Sequence, residues 1–356
     1  MKLRVRSTQL LLGLLVAPSA RAQAGATDSG DALAQALFRK LQPPAMSIAV
    51  ARAGGSMRWQ IGLADLQTGR NAGRDALFRI GSDSKLFTAA IAARLVASGK
   101  LALDAPISRY LSGLPPTYRN LTARQLAGHL GGVRHYGRDE FVSRVAYPGV
   151  GGSLGVFLKD SLVAPPGTRY AYSSYGYNLL GAVLEAAGGK PFAELLRDEV
   201  LRPLGLRHTT LEGSGPLVAT QARPYTKDSA GTYQPSPGVD LSDRWPSGGM
   251  LSTAEELARF GLGVFRNGYL PDSLRALLLA TQRTAAGTPT QVGLGWRIAR
   301  DSLGREYVHH GGSAMGGRAF LLVYPREGVA VALLANTEAG FGETEALAFA
   351  RLVLGR

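Results

Sequence analysis

Residues 78–100 read FRIGSDSKLFTAAIAARLVASGK, and the interpretation of the whole chain turns on them. Within this stretch Ser82-Asp83-Ser84-Lys85 is the one place where a serine stands three residues before a lysine. Phe87, Ile91, Leu95 and Val96 recur at a 3.6-residue period and predict a helix with one apolar side. Ser82 falls at its start, one turn before Lys85, so both side chains project the same way. That geometry suits nucleophilic catalysis. A serine hydroxyl is a weak nucleophile until a base takes its proton, and a desolvated lysine can be neutral enough to serve. The N–H groups at the helix start also favour negative charge near Ser82. Serine is equally a common helix N-cap, so the tetrapeptide alone leaves both readings open.

Toward the N-terminus, Lys2, Arg4 and Arg6 precede the apolar run Leu10 to Ala17, and Ala20-Arg21-Ala22 offers small residues for cleavage. Residues 1–22 thus read as a secretory signal peptide, too short to span a membrane, and the expected location is periplasmic or secreted. Residues 23–30 (QAGATDSG) read as a disordered lead-in. The 356-residue chain contains no cysteine, which excludes disulfides and a cysteine nucleophile. Its net charge of +14 drops to +10 once Lys2, Arg4, Arg6 and Arg21 are removed. The basic residues are scattered, with no run and no interleaved aromatic stripe. They read as a solvated surface, with no nucleic acid expected as partner.

In chain order, Asp31 to Leu41 has helical spacing, and Met46 to Arg52 and Ser56 to Ala64 read as strands joined by Ala53-Gly54-Gly55. Leu121–His129, Ser153–Val163, Gly176–Ala187 and Pro191–Val200 read as helices, and residues 212–249 as a long irregular loop. A helix over Thr253–Phe265 carries an N-terminal capping pattern. Strands follow at Gly295–Ala299, Glu306–His309, Ala319–Tyr324 and Val329–Ala335, with a final helix from Thr344 to Leu354. Strands at both ends with helices between predict an α+β fold. One sheet is built from both termini and a helical lobe is inserted between them. Residues 31–356 are expected to form one domain, with a sheet lobe at 31–105 and 245–356 and a helical lobe at 106–244.

Further groups join the serine and lysine. Tyr172, in Ala171-Tyr172-Ser173-Ser174, enters a helix where its phenol can reach a nucleophile and work as phenolate or proton shuttle. Tyr170, Tyr175 and Tyr177 lie close in sequence, so plain aromatic packing is the competing reading. His309-His310-Gly311-Gly312-Ser313 runs from a strand into glycine-rich backbone that can approach a substrate. The Ser313 N–H pairs with that of Ser82 as a candidate oxyanion hole. The histidines lack metal-ligand spacing, so no metal is expected. A rival nucleophile is Ser153 in Gly151-Gly152-Ser153-Leu154-Gly155, which matches the elbow of α/β-hydrolases. The Pro148-Gly149 before it argues against the buried strand an elbow requires.

Together these motifs resemble the serine β-lactamase-related family, which includes class C β-lactamases, D-Ala-D-Ala carboxypeptidases, D-aminopeptidases and lactamase-fold esterases. The likeness extends from about Met46 to Asn336. It includes KLALDAPISRYL, PGTRYAYSSYGYNLLG, PSGGMLSTAEELARF and HHGGSAMGG, and the HLGGVRHY turn is similar to the branch containing the mitochondrial β-lactamase-like protease. The resemblance implies the β-lactamase/transpeptidase-like fold, an antiparallel sheet flanked by helices beside an all-helical lobe, with the site in the cleft between them. It also implies Ser82 as the acylated nucleophile, Lys85 as its base and Tyr172 as proton shuttle. Ser82 and Ser313 N–H groups would form the oxyanion hole, and Ser174, His310, Gly311 and Gly312 would bind substrate. Two positions depart from the family: Ser174 stands for an asparagine and His310 for the lysine of Lys-Thr-Gly. A neutral His310 supplies little fixed charge, so poor β-lactam turnover relative to esters is expected.

The expected function is a secreted serine hydrolase of ester or amide bonds, of peptidase or esterase type and without cofactor. A β-lactamase and a non-hydrolytic penicillin- or peptidoglycan-binding protein are the alternatives. The expected partner is a small-molecule or peptide substrate, peptidoglycan fragments among the candidates.

Overall fold

The computed structural model describes residues 20–213 and 216–355, with side chains from Asp28 onward. Most of the signal-peptide reading, residues 1–19, lies outside the described residues. Helix α1 (Ala20–Leu41) already contains residues 23–30, which corrects the reading of a disordered lead-in. Gly30 is the reason the helix can lie flat there: a Cβ on it would meet the Trp59 ring at 2.2 Å. Asp31 then accepts a hydrogen bond from Trp59 Nε1 at 2.5 Å.

A seven-stranded sheet organises the rest. Its strands are β1 (Ala45–Arg52), β2 (Gly55–Asp65), β3 (Arg70–Asn71), β4 (Arg297–Arg300), β5 (Glu306–Ala314), β6 (Gly317–Tyr324) and β7 (Val329–Ala335). Their order is β3-β2-β1-β7-β6-β5-β4, and every neighbouring pair is antiparallel. The two chain ends meet in mid-sheet, where β1 pairs with β7 from Met46–Ala335 to Arg52–Val329.

Alternation assigns the two faces. Met46, Ile48, Val50, Phe320, Leu322, Val331 and Leu333 join a core with α1 and α5 (Glu343–Leu354), which supplies Ala346, Phe349 and Ala350. The other face carries Ala49, Ala51, Ala330 and Ala332 and packs against α4 (Ala254–Phe265), which in turn meets α2 (Ser84–Ala97), Phe260 stacking on Phe87 with ring centroids 3.7 Å apart. These small side chains let α4 approach closely, and Gly261 completes the fit: a Cβ there would stand 2.6 Å from Val323.

Helix α2 departs from the one-sided reading. Its buried residues run from Ser84 through Ala93 without a break, so it is a central core helix rather than an amphipathic surface one. Helix α3 (Ser174–Gly188) is the long helix of the inserted lobe, capped by Ser173 Oγ accepting from Gly176 N at 2.8 Å. That lobe is not all-helical. Residues 153–163 form 3-10 and irregular turns instead of the expected helix, because Gly149 (φ 149°) and the following glycines do not sustain one.

The lobe boundary at 244 also needs correction, since residues 210–236 return to the sheet side. Thr210–Leu211 pairs with Met250–Ser252, which also pairs with Phe78–Arg79. Tyr225 N donates to Asn336 O at 2.9 Å.

Candidate active site

Between Ala76 and Ala93 every residue is buried except Ser82. A 3-10 turn, Gly81–Asp83, runs directly into α2 and holds Ser82 at the edge of the cleft. Gly81 has φ 48°, and a Cβ there would stand 2.6 Å from Ser313 O and 2.8 Å from Ser313 N. A Cβ on Gly312 would stand 1.9 Å from Ile80 O. These two glycines let strand β5 lie against the serine turn, with the Ser313 backbone against Gly81, the residue before Ser82. Gly312, which the sequence reading sets against substrate, thus answers to a backbone contact inside the protein and is buried. Gly311 is half-buried on the same strand. Beyond His309, β5 has no partner on its β4 side, which leaves residues 310–314 as an open edge along the cleft.

Lys85 is fully buried under Ser82. Its Nζ lies 3.2 Å from Ser82 Oγ, 3.0 Å from Ser174 Oγ and 2.6 Å from Ser247 O. Burial pulls the ammonium down to about 8, opposed by Tyr136 and Asp83 and assisted by the Arg244 charge. Tyr172 donates to Ser82 Oγ at 2.8 Å. Burial pushes its phenol up to about 12, with the Ser82 hydrogen bond and Arg297 pulling the other way. The phenol is therefore a neutral donor near neutral pH, and the phenolate reading of Tyr172 is set aside. Ser174 is fully buried with its Oγ on the lysine, so it sits beneath the site and not on the wall assigned to substrate.

Two histidines of the GHLGGVRHYG turn, not singled out from sequence, clamp the Tyr172 segment. His129 Nδ1 accepts from Ser173 N at 3.2 Å, and His135 Nδ1 accepts from Ser174 N at 3.1 Å. Their rings lie 4.5 and 5.4 Å from the Tyr172 ring, centroid to centroid. Burial, then the Lys85 charge, pushes His129 well below the usual histidine range and His135 to about 4. Both are neutral, as acceptors must be. Their presence inside a motif was the signal; their role depends on backbone geometry that no sequence spacing carries. The Ser247 carbonyl was likewise invisible, being a main-chain atom.

His310 is buried, and burial followed by the Lys85 and Arg297 charges holds it well below 6.5. The expected lack of charge at His310 therefore holds. A cation is nevertheless nearby. Arg297, exposed on edge strand β4 opposite His309, forms no ion pair among the described residues. Its charge favours the deprotonated forms of Tyr170, Tyr172, His309 and His310. Nothing in the sequence distinguished it from the other basic residues.

The rival Ser153 is buried, with Oγ 3.0 Å from Val150 O and 3.1 Å from Asp243 O. It belongs to a 3-10 turn, not to a strand-to-helix elbow.

Comparisons with known proteins give the chain its family. A family model described as Beta-lactamase matches residues 31–355. The chain is 25% identical over 406 aligned positions to human serine beta-lactamase-like protein LACTB, mitochondrial, covering 87% of this chain and 74% of that one. Esterase EstB of Burkholderia gladioli is 29% identical over 326 positions, covering 78% of this chain and 81% of the esterase. The crystal structure of a D-stereospecific amidohydrolase from Streptomyces sp. superposes with a TM-score of 0.76 at 23% identity. That match covers 95% of this chain and all of the other, and it speaks for the fold. Because the family match begins within α1 and runs past the end of α5, the chain as a whole belongs to the β-lactamase family of serine hydrolases.

Proposed function

We propose that this protein cleaves an ester or amide bond through an acyl-Ser82 intermediate, with Lys85 as base and Tyr172 as proton donor. The observation that carries the reading is the convergence of Lys85 Nζ and Tyr172 OH on Ser82 Oγ, at 3.2 and 2.8 Å. A neutral lysine has two N–H donors and one lone pair. Its donors go to Ser247 O and Ser174 Oγ, which leaves the lone pair for the Ser82 proton. As Ser82 attacks the carbonyl, negative charge grows on the carbonyl oxygen, where the Ser82 and Ser313 N–H groups stabilise it. Tyr172 then delivers a proton to the leaving group, and water attacks the acyl-enzyme from the cleft. The names of EstB and of the Streptomyces amidohydrolase agree with acyl transfer to water.

A substrate bearing a carboxylate meets Arg297 rather than His310 in this reading. A β-lactam carboxylate would then meet a cation despite the neutral His310. Arg297→Ala should lower kcat/KM for carboxylate-bearing substrates by about 10- to 150-fold, the value of a charge-assisted hydrogen bond at about 1.5–3 kcal/mol. Uncharged p-nitrophenyl esters should be little affected. Equal losses on both substrate types would remove Arg297 from substrate recognition.

The deciding assay is purified protein against p-nitrophenyl esters, D-amino-acid p-nitroanilides and nitrocefin under one set of conditions. Steady turnover of an ester or anilide is expected. Stoichiometric acylation without turnover would instead favour a penicillin- or peptidoglycan-binding protein. Export to the periplasm or medium is part of the proposal, on the strength of residues 2–22. It predicts a mature N-terminus at Gln23, and an intact N-terminus in the cytosolic fraction would contradict it.

A further inference from the structure

The serine turn buries an acid. Asp83 is fully buried, and neither of its carboxyl oxygens has a hydrogen-bond partner. Burying such a group is costly even when it is neutral, and burial does hold it well above the usual carboxylate range against Arg318 and Lys85. An apolar side chain would be the more stable choice here, so the carboxyl calls for a task.

The geometry names one. His310 Nδ1 lies 3.5 Å from Asp83 Oδ1 and 2.9 Å from Gly311 O. A carbonyl oxygen only accepts, so Nδ1 carries the proton, and in a neutral imidazole Nε2 is then bare. At 3.5 Å the Asp83 contact is longer than a formed hydrogen bond, but its oxygen stands beside that same N–H and favours the same tautomer. Nδ1 being committed, Nε2 is the nitrogen left for the cleft, which Tyr172 borders with ring centroids 6.3 Å apart.

We propose that Asp83 is a positioning residue that keeps the His310 proton on Nδ1, so that Nε2 accepts a hydrogen bond from an N–H or O–H group of the substrate. The substrate-binding half of this inference rests on the acyl-Ser82 reading; the tautomer half does not. It implies that acyl groups carrying an amide N–H are preferred over analogues without one.

The test combines nitrogen-15 spectra of labelled histidine in the full chain, thermal melting, and a matched pair of esters with and without the N–H. Wild type should show His310 protonated at Nδ1 and bare at Nε2, and should favour the N–H ester. Asp83→Val should melt higher by about 2–4 °C, mix the two tautomers, and lose about tenfold in kcat/KM on the N–H ester alone. Asp83→Asn keeps an acceptor oxygen and should retain tautomer and preference. A wild-type proton on Nε2 overturns the proposal, whether or not Asp83→Val folds. So does an Asp83→Val protein with unchanged tautomer and selectivity. If a fluorophosphonate fails to label Ser82, the acyl-Ser82 reading falls while the tautomer result stands, so the two failures are distinct.

Discussion

Ser82→Ala is expected to abolish hydrolysis, lowering turnover by roughly 10⁴–10⁶-fold, the range seen when a nucleophile is removed from a working unit. The fold should survive. Ser82 is the one partly exposed residue of its stretch, and its Oγ receives bonds from Lys85 and Tyr172 without anchoring backbone. Ser153→Ala should behave in the opposite way. Its hydroxyl ties Val150 O and Asp243 O inside the protein, so its loss costs about 1–3 kcal/mol of stability and leaves turnover nearly intact. Melting curves and kcat on the same two variants separate the roles. A fully active Ser82→Ala protein would end the account of Ser82 as nucleophile.

Lys85 should govern the pH dependence. Only the neutral amine can accept the Ser82 proton, and burial brings that form into reach by lowering the lysine to about 8. The sign follows directly: below about 8 the protonated form dominates, so kcat/KM should rise about tenfold per pH unit, then level above it. Tyr172, pushed up to about 12, should contribute no limb near neutrality. Lys85→Met should cost roughly 10²–10⁴-fold and remove the rising limb, and Tyr172→Phe a similar factor with the limb retained. The double variant should lose far less than the product of the two, because groups acting on one proton fail together. A flat profile between pH 6 and pH 9 in wild type, or strict multiplicativity, would count against Lys85 as the base.

Much of this was legible in the chain because the relevant signals are local. Short apolar runs on either side of a glycine turn marked β1 and β2, and the serine–lysine spacing marked the turn before α2. Where the signal was tertiary, the reading stopped short. Strand β5 reads as ending at His309 because Gly311 and Gly312 carry no strand pattern, yet it continues to Ala314, and Gly312 with Gly81 is what allows β5 to lie against the serine turn. Helix α2 reads as one-sided because its alanines are neutral in a periodicity count, whereas α3, α4 and residues 196–201 enclose it. The resemblance sets Ser174 and His310 against substrate; what it does not carry is that the Ser174 hydroxyl lies on Lys85 and that His310 Nδ1 lies beside the buried Asp83. Arg297, which the chain hides among its other basic residues, becomes visible only when β4 lies opposite His309.

Trapping the acyl-enzyme tests the central claim most directly. The full chain would be mixed with a slowly turned-over p-nitrophenyl ester, quenched in acid during the burst, digested and sequenced by mass spectrometry. The account predicts one acyl group per chain, carried by Ser82, with a burst of p-nitrophenol of matching size. An acyl group on Ser153 or any other residue, or turnover with no acylated peptide at any time, would contradict it.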